Sequence, residues 1–378
     1  MTRMRSGENR IVTPPASAVR SLRQAYEARL EWALAQPLPI AGVTSNTVPW
    51  ELLRAAGLFP LLLSPPRGPT PHADPWMEDV FQARIRGIFN GLAGEEWPFL
   101  SLLVIPRTSE QEHKLFLYVR ELARLEPQRA LPRTLLYNLL HARSPEAWPY
   151  GLERTRELRM ALPAFSEEAL RDAIVESNRA REGARALLRL REDGRLCGSE
   201  ALPLLGAFYF MDRGEYATLA LAAARELAER PRISGPRVLI KGCPLDHSDL
   251  HCAIEAHGAV VAGEDDWWGS RIAGQDVRQQ GDPIEAVFEK YYLDAPGPRV
   301  FPTSAADEWF AQTAAKVDGV VFYLPPEDDV FGWDFPRQRA VLELRGVPHL
   351  LIRDDASQGD LSSECHDRIE EFVGRLQR

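Results

Sequence analysis

The sequence predicts an α/β protein: two small doubly wound parallel-sheet domains of the flavodoxin or Rossmann-like kind, with a helical region between them. Three observations lead there. Short runs of branched and apolar residues alternate with amphipathic stretches early in the chain, as in a parallel sheet wrapped by helices. From residue 148 the strand pattern gives way to long periodic segments rich in Leu, Ala, Arg and Glu. From residue 236 the alternation resumes. A chain of 378 residues exceeds one ordinary core. The expected divisions are an N-terminal helix (1–37), a first α/β domain (38–147), a helical region (148–235) and a second α/β domain (236–378).

Each element has its own local reason. Residues 17–36 carry the spacing of an amphipathic helix. Residues 39–43 read as a strand and 48–56 as a helix, with Asn46-Thr47 in the cap region and Gly57 as its stop. A strand at 58–64 precedes a Pro/Gly-rich surface loop at 65–75. A helix is expected over 75–92, then a buried strand over 100–105. The next helix carries Leu115, Phe116, Val119 and Leu122 on its apolar face, and a strand follows near 133–140. Helices are expected at 152–160, 166–193 and 216–229, and the segment 231–236 is a hinge. The second half supplies strands at 237–241, 259–263, 317–323 and 349–353, with helices at 246–256, 336–345 and 364–376.

Bulk properties exclude several classes. A net charge of −9 argues against a nucleic-acid or anionic-membrane partner. Apolar runs such as 58–63 fall far short of the ~20 residues that cross a bilayer. The opening stretch MTRMRSGENR lacks the apolar core of a signal peptide. Four cysteines, Cys197, Cys243, Cys252 and Cys365, are scattered without a framework spacing, which predicts reduced thiols and a cytoplasmic setting.

Candidate chemistry collects after the strands. The loops at 44–48, 107–111, 242–247 and 324–332 should open on the carboxyl edges of the sheets, where a cleft between the two halves would form. In the first, Ser45, Asn46 and Thr47 sit at a helix start, with Glu51 one turn inside; they suit either anion binding or simple capping. No Gly-rich dinucleotide loop or Walker signature occurs. In "GCPLDHSDLHC", His247 and His251 lie four apart and Cys243 lies at the strand end. Three donors without a second cysteine pair form a weak zinc signal, and a capped helix with a buried thiol explains them as well. "GEDDWWGSR" sets three acids, two tryptophans and Arg271 after a strand. "YLPPEDDVFGWDFP" is an acidic turn.

Several stretches, taken in order, resemble the 2-hydroxyacyl-CoA dehydratase and benzoyl-CoA reductase family over about residues 38–376. "PWELLRAAGLFPLLL" resembles its Pro-x-Glu-Leu helix ending in Ala-x-Gly. "LVIPRTSEQEHKL" resembles the strand that ends Pro-x-x-Cys-Asp. "AFSEEALRDAIVESNRARE" resembles its Leu-x-x-Ala-Ile…Asn-x-x-Arg helix. "RVLIKGCPLD", "IEAHGAVVAGEDDWWGSR", "GVPHLLIRDD" and "DRIEEFV" resemble its later blocks.

The resemblance implies a subunit of an oxygen-sensitive complex that dehydrates a 2-hydroxyacyl-CoA, a lyase reaction, or reduces an aromatic acyl-CoA. It implies electrons from an ATP-dependent activator and a four-iron four-sulfur cluster held by three cysteines. Here Ser109-Glu110 stands where the family has Cys-Asp, and Leu324-Pro325 where it has a cysteine. A serine hydroxyl stays protonated and is a hard donor, so no cluster is expected in this chain. By the resemblance Ser45 and Glu51 are catalytic, bonding the thioester and moving a proton. Asn46, Ser109, Gly242 and Arg271 are expected to contact substrate. The expected partner is a homologous cluster-bearing subunit in a heterodimer, or a second copy. The alternative is a non-redox protein that reuses the fold to bind an acyl-CoA or another small ligand.

Overall fold

The computed structural model describes residues 17–294, 300–328, 330–354 and 361–378. The opening stretch, Asp329 of the acidic turn and Asp355 lie outside the described residues. Helices α1 (Ala18–Glu27) and α2 (Arg29–Leu34) come first, parted at Ala28 where a single helix was expected. The first α/β unit comprises β1 (Ile40–Val43), α3 (Trp50–Ala55), β2 (Phe59–Leu62), α4 (Ala83–Ala93), β3 (Leu100–Pro106), α5 (Glu110–Leu125) and β4 (Arg133–Tyr137). Helices α6 (Ala147–Ala161), α7 (Glu167–Glu192), α8 (Gly198–Gly206) and α9 (Arg213–Ala228) follow. The second unit opens with β5 (Arg237–Gly242), α10 (Asp249–Ala256) and β6 (Val260–Glu264). Next come α11 (Pro283–Leu293), α12 (Ser304–Ala314) and β7 (Gly319–Tyr323), then α13 (Phe335–Arg345), β8 (His349–Ile352) and α14 (Ser363–Leu376).

Both sheets are four-stranded and wholly parallel, ordered β2-β1-β3-β4 and β6-β5-β7-β8. This is the doubly wound architecture expected. In each, the chain changes direction across the sheet between its first and third strands, so a crevice opens at the carboxyl ends of β1 and β3, and of β5 and β7. Period-two alternation buries both faces of the second sheet. Val238, Ile240 and Val321 pack with Ile254, Ile369 and Phe372 of α10 and α14, while Leu239, Val320 and Phe322 pack with Phe310 and Leu342 of α12 and α13.

One continuous core joins the first sheet to the helical region. It also takes in Trp267, Trp268 and Ile272 from the loop after β6, and Val287, Phe288 and Tyr291 from α11. The longest helix, α7, begins at Ser166, whose hydroxyl accepts from the N–H of Ala169 at 3.1 Å, and its Gly183 lies against Ala220 of α9. Among the described residues no helix is long and apolar enough to cross a membrane.

Three local expectations change. Asn46 and Thr47 cap no helix; Pro49 occupies the start of α3 without a side-chain cap. The helix expected over 75–92 begins only at Ala83, and Arg86 instead satisfies the carbonyls of Met77 and Glu78 at 2.8 and 2.9 Å. Helices α8, α11 and α12 were not anticipated, although Asp282 caps α11 and Pro283 fills its first turn, a recognisable start signal.

Candidate functional site

The loops at the carboxyl ends of β3, β5 and β7 converge on one cleft between the two sheets. Its walls include Arg84, Thr108, Ser109, Glu112, Cys243 and Pro325. Its inner space of about 90 Å³ takes several water-sized groups.

The first-sheet wall is a buried knot of hydroxyls. Ser45 Oγ lies 2.9 Å from Thr47 Oγ1 and 3.1 Å from Thr108 Oγ1, and the two threonine oxygens are 2.5 Å apart. The neighbouring Thr44 hydroxyl donates to Glu112 Oε1 at 2.7 Å. Ser109 is the N-cap of α5, accepting the Glu112 N–H at 3.1 Å. Glu112 is only 4% exposed. Burial pushes its carboxyl above the ordinary carboxylate range, against the pull of the Arg84 charge and of hydrogen bonds from Thr44, Thr108 and Ser45. Arg84 donates to the carbonyl of Thr44 and lies 5.8 Å from the Trp267 ring, closing that side.

The opposite wall comes from the second sheet. Gly242 ends β5 at a φ of 131°, and a Cβ there would overlap the Tyr323 carbonyl oxygen of β7. It is the tight corner that brings Cys243 to the cleft. Burial, then the Asp328 carboxylate, raises the Cys243 thiol well above its usual range, so it stays protonated. In the loop after β6, Asp266 accepts from the N–H groups of Leu245, Trp268 and Gly269 at 3.3, 2.9 and 2.8 Å. Burial and the Glu264 charge push its carboxyl up to about 7.

The remaining candidates go elsewhere. Glu51 does not line the cleft: it is fully buried, bonded by Arg181, by Ser177 and by Tyr291 at 2.9 Å. Burial alone would raise its carboxyl, but the Arg181 charge together with hydrogen bonds from Ser177 and Arg181 holds the group at about 2. A carboxylate so held stays ionised near neutral pH, which suits a fixed anion and not the proton carrier expected from the sequence. Arg271 pairs with Asp265, lies over Trp309 and lines a separate depression with Arg143 and Asp294. His251 points inward to Glu264 at 2.7 Å while His247 faces Asp249 at 3.3 Å, so these two and Cys243 do not converge. Among the described residues no group of three such donors is placed to hold a metal.

The profile described as 2-hydroxyglutaryl-CoA dehydratase, D-component, matches residues 46–376. The chain belongs to this family. It is 27% identical over 294 residues to YjiM of Escherichia coli (strain K12), a proposed dehydratase subunit, covering 74% of this chain and 75% of that protein. It is 22% identical over 197 residues to the (R)-phenyllactyl-CoA dehydratase beta subunit of Clostridium sporogenes, covering 50% of this chain and 53% of that one. Membership of the dehydratase D-component family makes the chain a subunit of a 2-hydroxyacyl-CoA dehydratase-like complex that works with partner components. Ser109, expected from the sequence to contact substrate, lies in the cleft wall, and Ser45 lies in the hydroxyl knot behind it; Glu112 and Arg84, which the sequence did not single out, also line the cleft.

Proposed function

We propose that this chain is the cluster-free partner in such a complex, pairing with a homologous cluster-bearing subunit and helping to hold an acyl-CoA thioester in the cleft. The donor set of the cleft carries this reading. Ser109 offers a hard hydroxyl already accepting a helix N–H, Pro325 offers no donor side chain, and the one thiol present, Cys243, is kept protonated by burial. Cys197, Cys252 and Cys365 do not line the cleft. Three thiolates are needed and one thiol is present, so these residues do not fit an iron–sulfur cubane.

Without a cluster, the chain's own part is to bind and to place protons. Thr108 and Ser109 line the cleft, and their hydroxyls are of a kind that can donate a hydrogen bond to a thioester carbonyl. Glu112 beside them is the group whose environment favours a bound proton. The test is anaerobic reconstitution. The chain purified alone should hold less than stoichiometric iron, and should turn over a 2-hydroxyacyl-CoA only when mixed with a cluster-bearing homologous subunit and an ATP-dependent activator. Four irons on the isolated chain with a cubane spectrum would overturn the cluster-free assignment. Thioester binding with no partner-dependent turnover would instead favour the non-redox reading.

A further inference from the structure

Behind the hydroxyl knot lies a second, smaller cavity of about 40 Å³, with Ser45, Asn46, Ser177, Arg181, Arg213 and Lys290 in its wall. By the ~10–15 Å³ that one water needs, it holds about three heavy atoms. Its charges do not balance. Glu51 answers Arg181, and Asp294 lies 3.1 Å from Lys290. Arg213 is 5% exposed, and its Nε and Nη1 atoms are buried without a hydrogen-bond partner. The guanidinium lies 3.2 Å from the Phe208 ring centre and 5.0 Å from that of Trp50, so aromatic faces surround it where a carboxylate would be expected. It also occupies the first turn of α9, where the helix dipole disfavours a cation. A buried, unpaired guanidinium is rare because its desolvation goes uncompensated.

We infer that this cavity is a carboxylate-binding site, with Arg213 as the primary anchor and Lys290 as a secondary one. A carboxylate has three heavy atoms and fills the space, and its oxygens can accept from an Arg213 donor that has no partner in the protein. Burial brings the Arg213 guanidinium down to about 10, and a bound anion would restore it. The carboxylate is either a free small acid or the far end of an acyl chain whose thioester lies in the cleft; the second source rests on the function proposed above. Ser45 in the wall of this cavity touches Thr108 in the wall of the cleft, hydroxyl to hydroxyl, at 3.1 Å.

The experiment is thermal denaturation of the full chain with acetate titrated at constant ionic strength, the balance made up by a bulky organic anion. Acetate should raise Tm saturably, by about 2 °C at tenfold excess over its Kd. Arg213→Gln should abolish the rise and Lys290→Met should weaken acetate several-fold; either variant alone suffices if the other fails to fold. No saturable rise, or an equal rise in the variants, overturns the site and leaves it a water cavity. A second arm compares succinyl-CoA with butyryl-CoA on the complex with its partner subunit. Tighter binding of succinyl-CoA by tenfold or more, lost in Arg213→Gln, assigns the carboxylate to the acyl chain. An acetate response with no binding of either ester keeps the site for a free acid and sinks the acyl-CoA reading. Equal binding of both esters without an acetate response sinks the site alone.

Discussion

Ser109-Glu110-Gln111-Glu112 has the spacing of a capping box, in which the Glu side chain would turn back to the N–H of the Ser. Only half of it forms. Ser109 caps α5, but Glu112 turns inward and accepts from Thr44 across to β1. A local rule broken at a strand-end cleft marks a functional position. Changing Glu112 to Gln should therefore lower turnover of the reconstituted complex by about 10²-fold or more, with thioester affinity little changed. The pH response follows from the direction of its shift. A carboxyl raised in the folded state binds a proton there that the unfolded chain has released, so its contribution is fully present below about pH 4 and is lost as pH rises through its folded value. Urea unfolding of E112Q against pH should lack that decline. An unchanged profile and unchanged turnover would remove Glu112 from proton handling. Sequence alone could not single it out, because a first-turn Glu on a helix is ordinary; its direction is set by residues far apart in the chain.

At the scale of elements, both sheets and most of their helices were legible, because strands buried on both faces read as short apolar runs and their crossover helices keep the 3.6 period. What escaped is equally physical. Helix α8 is short, mostly buried and carries Pro203 inside it, so it shows neither an amphipathic stripe nor helix-forming composition. The first turn of α3 was misread as a capped start because Thr47 is a good cap by type; its hydroxyl serves Ser45 and Thr108 instead. Gly242 shows how an element edge shapes the site. Its positive φ and its approach to Tyr323 fix where β5 releases Cys243 into the cleft. Gly242→Ala should destabilise the protein by about 1–3 kcal/mol through strain alone. It should also weaken thioester binding, since the corner must shift to admit a methyl group. Chemical denaturation checks the first and a binding titration the second. A variant as stable as wild type would show that the corner relaxes without consequence.

At the scale of the molecule, the chain crosses and recrosses between the two sheets. Residues that follow β6 in sequence do not stay with the second sheet. Trp268 is 1% exposed, and its ring lies 5.1 Å from that of Tyr209, 6.0 Å from Phe210 and 6.3 Å from Tyr26. Helix α11 then packs on α6 and α7, with Phe288 4.9 Å from Trp148, and Tyr291 reaches Glu51. Buried ion pairs repeat the tie: Arg191 of α7 meets Glu264 at the end of β6 at 2.9 Å. Cooperative unfolding requires such shared burial, because a unit melts alone only if its own core survives the loss of its neighbour. We therefore expect one transition in urea, with tryptophan fluorescence and far-ultraviolet circular dichroism coinciding. Trp268→Ala, which leaves a large cavity in the joint core, should cost about 3–5 kcal/mol and shift both signals together. If the variant instead split the curve, with the helical signal lost first while the second sheet persisted, the two cores would be separable and the cleft between them free to open. The coincidence of the two curves thus tests whether the carboxyl edges of β3, β5 and β7 are held at a fixed spacing, which a shared thioester site between the sheets demands.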